Sequence, residues 1–272
     1  SPRKNAHLKM KKKLPTALSV AGSDSSSGAG VQADLLTFAN RGVWGTTAFT
    51  ALTAQNPNRV SAVHAVPAKF LKAQLETVAE TYQIGAMKTG MLGSKSAIET
   101  IVEFHKNHRN IQLVVDPVMI ATSGAKLLPN SAMGALTKKL FPRATLITPN
   151  LDEAEKLLGA PAGTTLDEFV ASAIRLFEKF NTAILLKGGH ATGAQIVDIL
   201  VEPNGNVSLF KHKRVKNINT HGSGCTLSAA ITAELAKGKN LCDAVQNAIE
   251  YLQSAMKNSA GTQLGNFIAH LQ

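Results

Sequence analysis

Apolar positions along the chain gather into short runs rich in Val, Ile, Leu and Ala, and these alternate with longer segments in which apolar residues recur at helical spacing. That alternation predicts strand and helix repeats, whose crossovers build an α/β fold: a central, mostly parallel sheet flanked by helices on both faces. Strands are expected over residues 17–21, 43–52, 84–88, 113–116, 145–148 and 183–187. Helices are expected over 30–40, over 68–82 behind Pro67, and over 95–106, 131–140, 151–158, 166–179, 224–237 and 241–257. The segment from Ile196 to Lys211, broken by Pro203, Asn204 and Gly205, reads as a hairpin that interrupts the alternation. There is no internal repeat and no linker rich in Pro, Gly and Ser, so residues 14–272 are expected to form one domain.

With 44% hydrophobic and 17% charged residues, the composition is that of a folded chain and not a disordered one. The formal net charge of +11 is concentrated at one end: Arg3, Lys4, Lys9, Lys11, Lys12 and Lys13 stand in the first thirteen residues with no acid among them. This segment, 1–13, reads as a disordered basic tail outside the fold. No basic patch interleaved with aromatics follows it, so a nucleic-acid partner is not expected. The two cysteines, Cys225 and Cys242, offer neither a disulfide framework nor a zinc site, which favours a reducing, cytoplasmic compartment. The longest stretches without Asp, Glu, Lys or Arg, 42–58 and 217–233, are rich in Thr, Asn and Gly, so no membrane span is expected.

Candidate chemistry lies just past the expected strand ends, where open α/β sheets bind ligands. Thr220-His221-Gly222-Ser223-Gly224-Cys225-Thr226 places glycines immediately before a helix of small residues, so free N–H groups converge there as an anion cradle or, more simply, form a tight turn. The spacing matches neither a Walker loop nor a dinucleotide fingerprint. Cys225 in the first helical turn has its thiolate favoured by the helix dipole, unless it is only a small buried apolar residue. Asp116, Asn150 and Glu153 are oxygen donors at two successive strand ends and suit magnesium on nucleotide phosphates. Asn150 and Glu153 equally have the spacing of a helix-capping box. Gln55 ends an apolar strand, where its carboxamide needs partners for both donor and acceptor. Asp34 follows the Gly28 turn and is either a solvated helix residue or a carboxylate facing the same pocket.

Taken in order, these motifs resemble the hydroxymethylpyrimidine and phosphomethylpyrimidine kinases of thiamine biosynthesis, in the ribokinase-like superfamily. The resemblance spans residues 16–256. It is carried by Ala21-Gly22-Ser23-Asp24, Gly28-Ala29-Gly30-Val31-Gln32-Ala33-Asp34, Thr53-Ala54-Gln55-Asn56, Lys88-Thr89-Gly90-Met91-Leu92, Asp116-Pro117-Val118-Met119, Thr148-Pro149-Asn150-Leu151, Lys187-Gly188-Gly189-His190 and Gly222-Ser223-Gly224-Cys225. It implies a ribokinase-like domain that uses ATP and Mg2+ to phosphorylate 4-amino-5-hydroxymethyl-2-methylpyrimidine and then its monophosphate. It also implies a homodimer, and no fused thiamine-pathway segment is expected. By the same resemblance Gln55, Asp34 and the Gly22 backbone face the substrate, Asn150, Lys187 and Asp116 face ATP and its phosphates, and Asp116 and Glu153 arrange the metal. Gly222, Ser223 and Gly224 form the anion hole, and Cys225 is the catalytic residue.

Two features depart from the family pattern. The usual Asp-Pro-Ser-Gly-Gly-Ala-Gly of the first loop reads Asp24-Ser25-Ser26-Ser27-Gly28-Ala29-Gly30 here. Some relatives phosphorylate pyridoxal and carry a second cysteine in a lid over the site, whereas the lid-like stretch 119–124 has none, which favours the pyrimidine; a pyridoxal kinase or a dual-specificity kinase of the same fold is the alternative.

Overall fold

The computed structural model describes residues 14–56, 59–119, 127–190, 194–216 and 220–259. The basic tail and all but Met119 of the lid-like stretch lie outside the described residues. One nine-stranded sheet runs in the order β3-β2-β1-β4-β5-β6-β7-β8-β9. The strands are β1 (Thr16–Gly22), β2 (Trp44–Asn56), β3 (Arg59–Ala65), β4 (Ile84–Thr89), β5 (Gln112–Val115), β6 (Leu146–Ile147), β7 (Ile184–Leu186), β8 (Gln195–Val201) and β9 (Val207–Lys213). Strand pairs from β2 through β1 and β4 to β7 are parallel, and β3, β8 and β9 attach antiparallel at the two edges.

Side-chain alternation sorts the central strands onto two cores. Leu113, Val115, Ile184 and Leu186 point to one face, against α2 (Ala68–Thr81), α3 (Lys95–Asn107), α4 (Asn130–Ala135), α5 (Leu151–Leu158) and α6 (Leu166–Phe180). Val114, Leu146 and Leu185 point to the other, against α7 (Ser223–Ala236) and α8 (Leu241–Ser259), with α1 (Gly30–Asn40) packed beside α7. Strands buried on both faces read as continuous apolar runs, which is why the sequence pattern locates them. Helices on both faces, the hairpin β8–β9 and the eight expected helices are all present.

Two differences matter. The expected helix 131–140 begins as α4, widens into a π turn over Leu136–Leu140 and closes with a 3-10 turn at Phe141–Arg143, where Pro142 cannot continue the α pattern. Strand β3 was not expected. It is exposed along nearly its whole length, so no apolar period marks it, and its register comes from pairing with β2, which extends past residue 52 to Asn56.

Helix α7 is the element that positions the site. Residues Thr226–Leu235 are all buried, and its small side chains let it lie close to the sheet: a Cβ on Gly85 would stand 3.1 Å from the Ala236 carbonyl oxygen. Its far end is pinned by Glu234, which is buried and accepts from Arg41 Nε at 2.9 Å, Arg41 Nη2 at 2.5 Å and Lys237 Nζ at 2.7 Å. Burial alone would raise the Glu234 pKa, but hydrogen bonds from Lys237 and Arg41 outweigh it and hold the carboxyl below its ordinary value.

Glu234→Gln is therefore expected to lower stability at neutral pH by about 1 to 3 kcal/mol, measured by urea denaturation. Because the folded pKa is depressed, the wild-type advantage is full above the free value of 4.5 and shrinks as pH falls through the folded pKa. An advantage that persists undiminished in acid would show that Glu234 contributes by packing alone.

Candidate active site

The carboxyl ends of β1, β2, β4, β5 and β7 open onto a cavity of about 860 Å³ that the first turn of α7 closes from below. Glycine is required at two points in its wall. Gly222, at φ 81°, precedes α7, and a Cβ there would lie 1.8 Å from the Gly28 carbonyl oxygen. Gly30, at φ 61°, opens α1, and its Cβ would lie 2.4 Å from the Gly22 carbonyl oxygen. The first loop and the α7 start thus touch backbone to backbone. No side chain caps α7, so Gly222, Ser223, Gly224 and Cys225 present the uncapped helix N-terminus to the cavity.

In the altered first loop the serines supply both a left-handed turn and the hydrogen bonds that fix it. Ser27 adopts φ 64°, the left-handed conformation that glycine ordinarily supplies. Ser25 Oγ accepts from the Gln55 N–H and donates to the Gln55 carbonyl, both at 2.8 Å, and Ser26 donates through N–H and hydroxyl to Asp24 Oδ1 at 2.9 and 2.7 Å. Asp24 also meets His221 Nε2 at 3.1 Å, tying the loop to the α7 start. Burial works against the Asp24 carboxylate, but these hydrogen bonds, His221 foremost, lower its pKa overall. Gln55 lines the cavity, half-buried, and no described group hydrogen-bonds its carboxamide.

On one wall of the cavity, charges of opposite sign alternate. Lys187 Nζ donates to Asp116 Oδ1 at 3.0 Å, and Thr148 Oγ1 donates to the same oxygen at 3.3 Å. A Cβ on Gly224 would meet Lys187 Nζ at 3.4 Å and Asp116 Oδ2 at 3.6 Å, so this pair sits against the helix start. Burial opposes the Lys187 charge, yet Asp116 and Glu153 raise its pKa. Asn150 and Glu153 form the capping box in full: Asn150 Oδ1 accepts the Glu153 N–H at 2.8 Å, and Glu153 Oε2 accepts the Asn150 N–H at 2.9 Å. Both residues line the cavity as well, so the two readings of this motif hold together. Burial raises the Glu153 pKa, with Lys187 pulling the other way.

Two expectations need correction. Asp34 does not face the cavity: it is wholly buried beneath it, accepting from Ser19 Oγ at 2.5 Å and Lys88 Nζ at 2.6 Å. The Cys225 thiol is not shifted toward thiolate. Burial pushes it up to about 11, and the nearby Lys88 charge and a Gly30 N–H offset that only in part. Sequence reasoning also assigned no role to Asp24, His221 or Lys88. Lys88, a charge inside an apolar strand, was the detectable signal among them. At the far end the cavity is walled by Asp198, His212, Arg214, Leu252, Gln253 and Met256 from the β8–β9 hairpin and α8.

Comparison with known proteins follows the same outline. Residues 24–271 match the family described as phosphomethylpyrimidine kinase. A hydroxymethylpyrimidine/phosphomethylpyrimidine kinase of Haemophilus influenzae is 43% identical over 245 residues, covering 89% of this chain and 90% of its own. Among solved structures, a phosphomethylpyrimidine kinase from Clostridium difficile superposes with a TM-score of 0.78 at 40% identity, covering 89% of this chain and 99% of that one. An ADP complex of Bacillus subtilis pyridoxal kinase superposes with a TM-score of 0.83 at 36% identity, covering 90% and 92%.

At about pH 8 Cys225 is expected to react with iodoacetamide roughly a hundredfold more slowly than a free thiol whose pKa is near 8.5, followed by mass spectrometry of the alkylated peptide. Alkylation at the free-thiol rate would show that the site already holds a thiolate.

Proposed function

The chain belongs to the phosphomethylpyrimidine kinase family, and from that premise we propose that it transfers the γ-phosphoryl group of ATP to the hydroxymethyl group of 4-amino-5-hydroxymethyl-2-methylpyrimidine, and then phosphorylates the monophosphate. The protein is a kinase of ribokinase-like fold acting in thiamine biosynthesis. The observation that carries the substrate assignment is Gln55, a carboxamide with no described hydrogen-bond partner on the cavity wall. A ring nitrogen beside an amino group satisfies its donor and acceptor together. Gly22 stands on the same wall, and Asp34 lies beneath it, paired with Lys88.

Gly222, Ser223 and Gly224 supply an uncapped helix start for the transferring phosphoryl group, and Asn150, Lys187 and Asp116 border the ATP phosphates. The β8–β9 end of the cavity is left for the nucleotide base. The donor set fits a magnesium ion that arrives on ATP and keeps most of its waters. Asp116 would hold it through Oδ2, since Oδ1 is taken by Lys187 and Thr148. Glu153 would act behind it, because its oxygens accept backbone N–H groups of Asn150 and Met119. When bound, the ion neutralises phosphate charge. Cys225, on the cavity wall, would take the proton of the acceptor hydroxyl, a role open only to its thiolate.

A homodimer accounts for the β2–β3 arm. This two-stranded ribbon exposes Leu52 on one face and Val63 on the other, and such a ribbon is marginal in water without cover. Sedimentation velocity should show a species of twice 28.7 kDa, and a monomer at micromolar concentration would remove this reading.

For the reaction itself, ADP release should be compared with hydroxymethylpyrimidine, its monophosphate and pyridoxal, the last because of the likeness to the Bacillus enzyme. Turnover of both pyrimidine forms is expected. Gln55→Ala should raise the KM for the pyrimidine at least about tenfold while leaving that for ATP nearly unchanged. Turnover of pyridoxal alone would overturn the substrate assignment and keep the kinase.

A further inference from the structure

Beneath the first turn of α7 lies a charge to which the reaction outlined above gives no part. Lys88 stands in β4 beside the buried Ala86 and Met87 and is itself wholly buried. Its ammonium donates to Asp34 Oδ1 at 2.6 Å and to the main-chain carbonyl of Cys225 at 3.3 Å. Asp34 in turn accepts from Ser19 Oγ at 2.5 Å. Side chains from β1, α1 and β4 therefore meet directly under the uncapped helix start.

The pair has a direction. Its carboxylate is turned toward Ser19 of β1, and its ammonium toward α7. A buried ion pair seldom stabilises a fold more than apolar residues of the same size would, because both ions lose their hydration. Packing in β4 thus gives no reason for a lysine at this position. Burial would strip its proton, but Asp34 foremost, with Asp116 behind it, raises the Lys88 pKa and keeps the ammonium charged. Beyond Asp116 the next cation is Lys187, paired to that same carboxylate. A fixed positive charge under a helix start adds to the helix dipole where negative charge collects during phosphoryl transfer, and it needs no rearrangement at that moment.

We propose that Lys88 is a positioning residue for phosphoryl transfer: oriented by Asp34, it holds the Cys225 carbonyl and keeps the N–H groups of the first α7 turn directed at the transferring group. This rests on the kinase reading above.

Lys88→Met alone leaves an unpaired carboxylate in the interior and is expected to fold poorly. The informative protein is the double variant Lys88→Met/Asp34→Leu, which removes both charges and roughly keeps the volume. Thermal unfolding and calorimetric titration with MgADP test its fold and nucleotide site; kcat and KM are measured with whichever acceptor the wild type phosphorylates. The expected result is near wild-type melting and ADP affinity, an acceptor KM within a few fold, and a kcat lower by roughly a hundredfold. A double variant with wild-type kcat, or one that does not fold, would assign the pair to the scaffold and overturn this inference while leaving the kinase assignment intact. A wild type inert toward hydroxymethylpyrimidine, its monophosphate and pyridoxal would overturn the kinase reading and this inference with it.

Discussion

Helix α7 is buried along almost its whole length, yet it begins without a capping side chain, and that constraint organises the rest of the site. Free N–H groups at a half-buried helix start are costly unless water or an anion reaches them. Each neighbouring feature keeps the start in place while leaving it open. Gly222 turns the chain in the left-handed region so that its backbone touches Gly28. His221 reaches Asp24 and joins the start to the first loop. Lys88 holds the Cys225 carbonyl from below, and Glu234 fixes the opposite end through Arg41. The helix can therefore spare its first turn for a ligand because tertiary contacts, and not a cap, fix its position.

The strands and helices were legible in the sequence for the same reason that the site sits where it does. Central parallel strands are covered on both faces, so β1, β4, β5 and β7 appear as apolar runs, and their ends are where polar residues first become affordable. Strand β3 was not legible because it buries no face, and only its partner β2 defines it. Within the site, Gln55, Gly222, Asn150 and Lys187 could be placed on the cavity from their positions at strand or helix ends. Asp34 could not. It lies in the second turn of α1, and which side of that helix meets the cavity depends on how α1 leans on β1, a tertiary fact with no local signature. The Asn150 and Glu153 motif was ambiguous because one arrangement of atoms both caps α5 and lines the cavity.

Of the two readings the sequence left open for Cys225, the charges and burial beneath the cavity favour the buried one. A cysteine in the first turn of a helix sees the helix dipole, which favours thiolate, but it also loses solvent. Here burial is the larger effect, and Asp34 and Asp116 add to it, so the thiol lies near 11 in spite of Lys88. The lysines cannot reverse this because each is already committed: Lys88 to Asp34, and Lys187 to Asp116. Lys88 and Lys187 thus each arrive with a carboxylate, and each pair presents a dipole and not a net charge. The thiol is therefore held protonated by its burial among paired charges, and the Lys88 charge offsets that burial only in part.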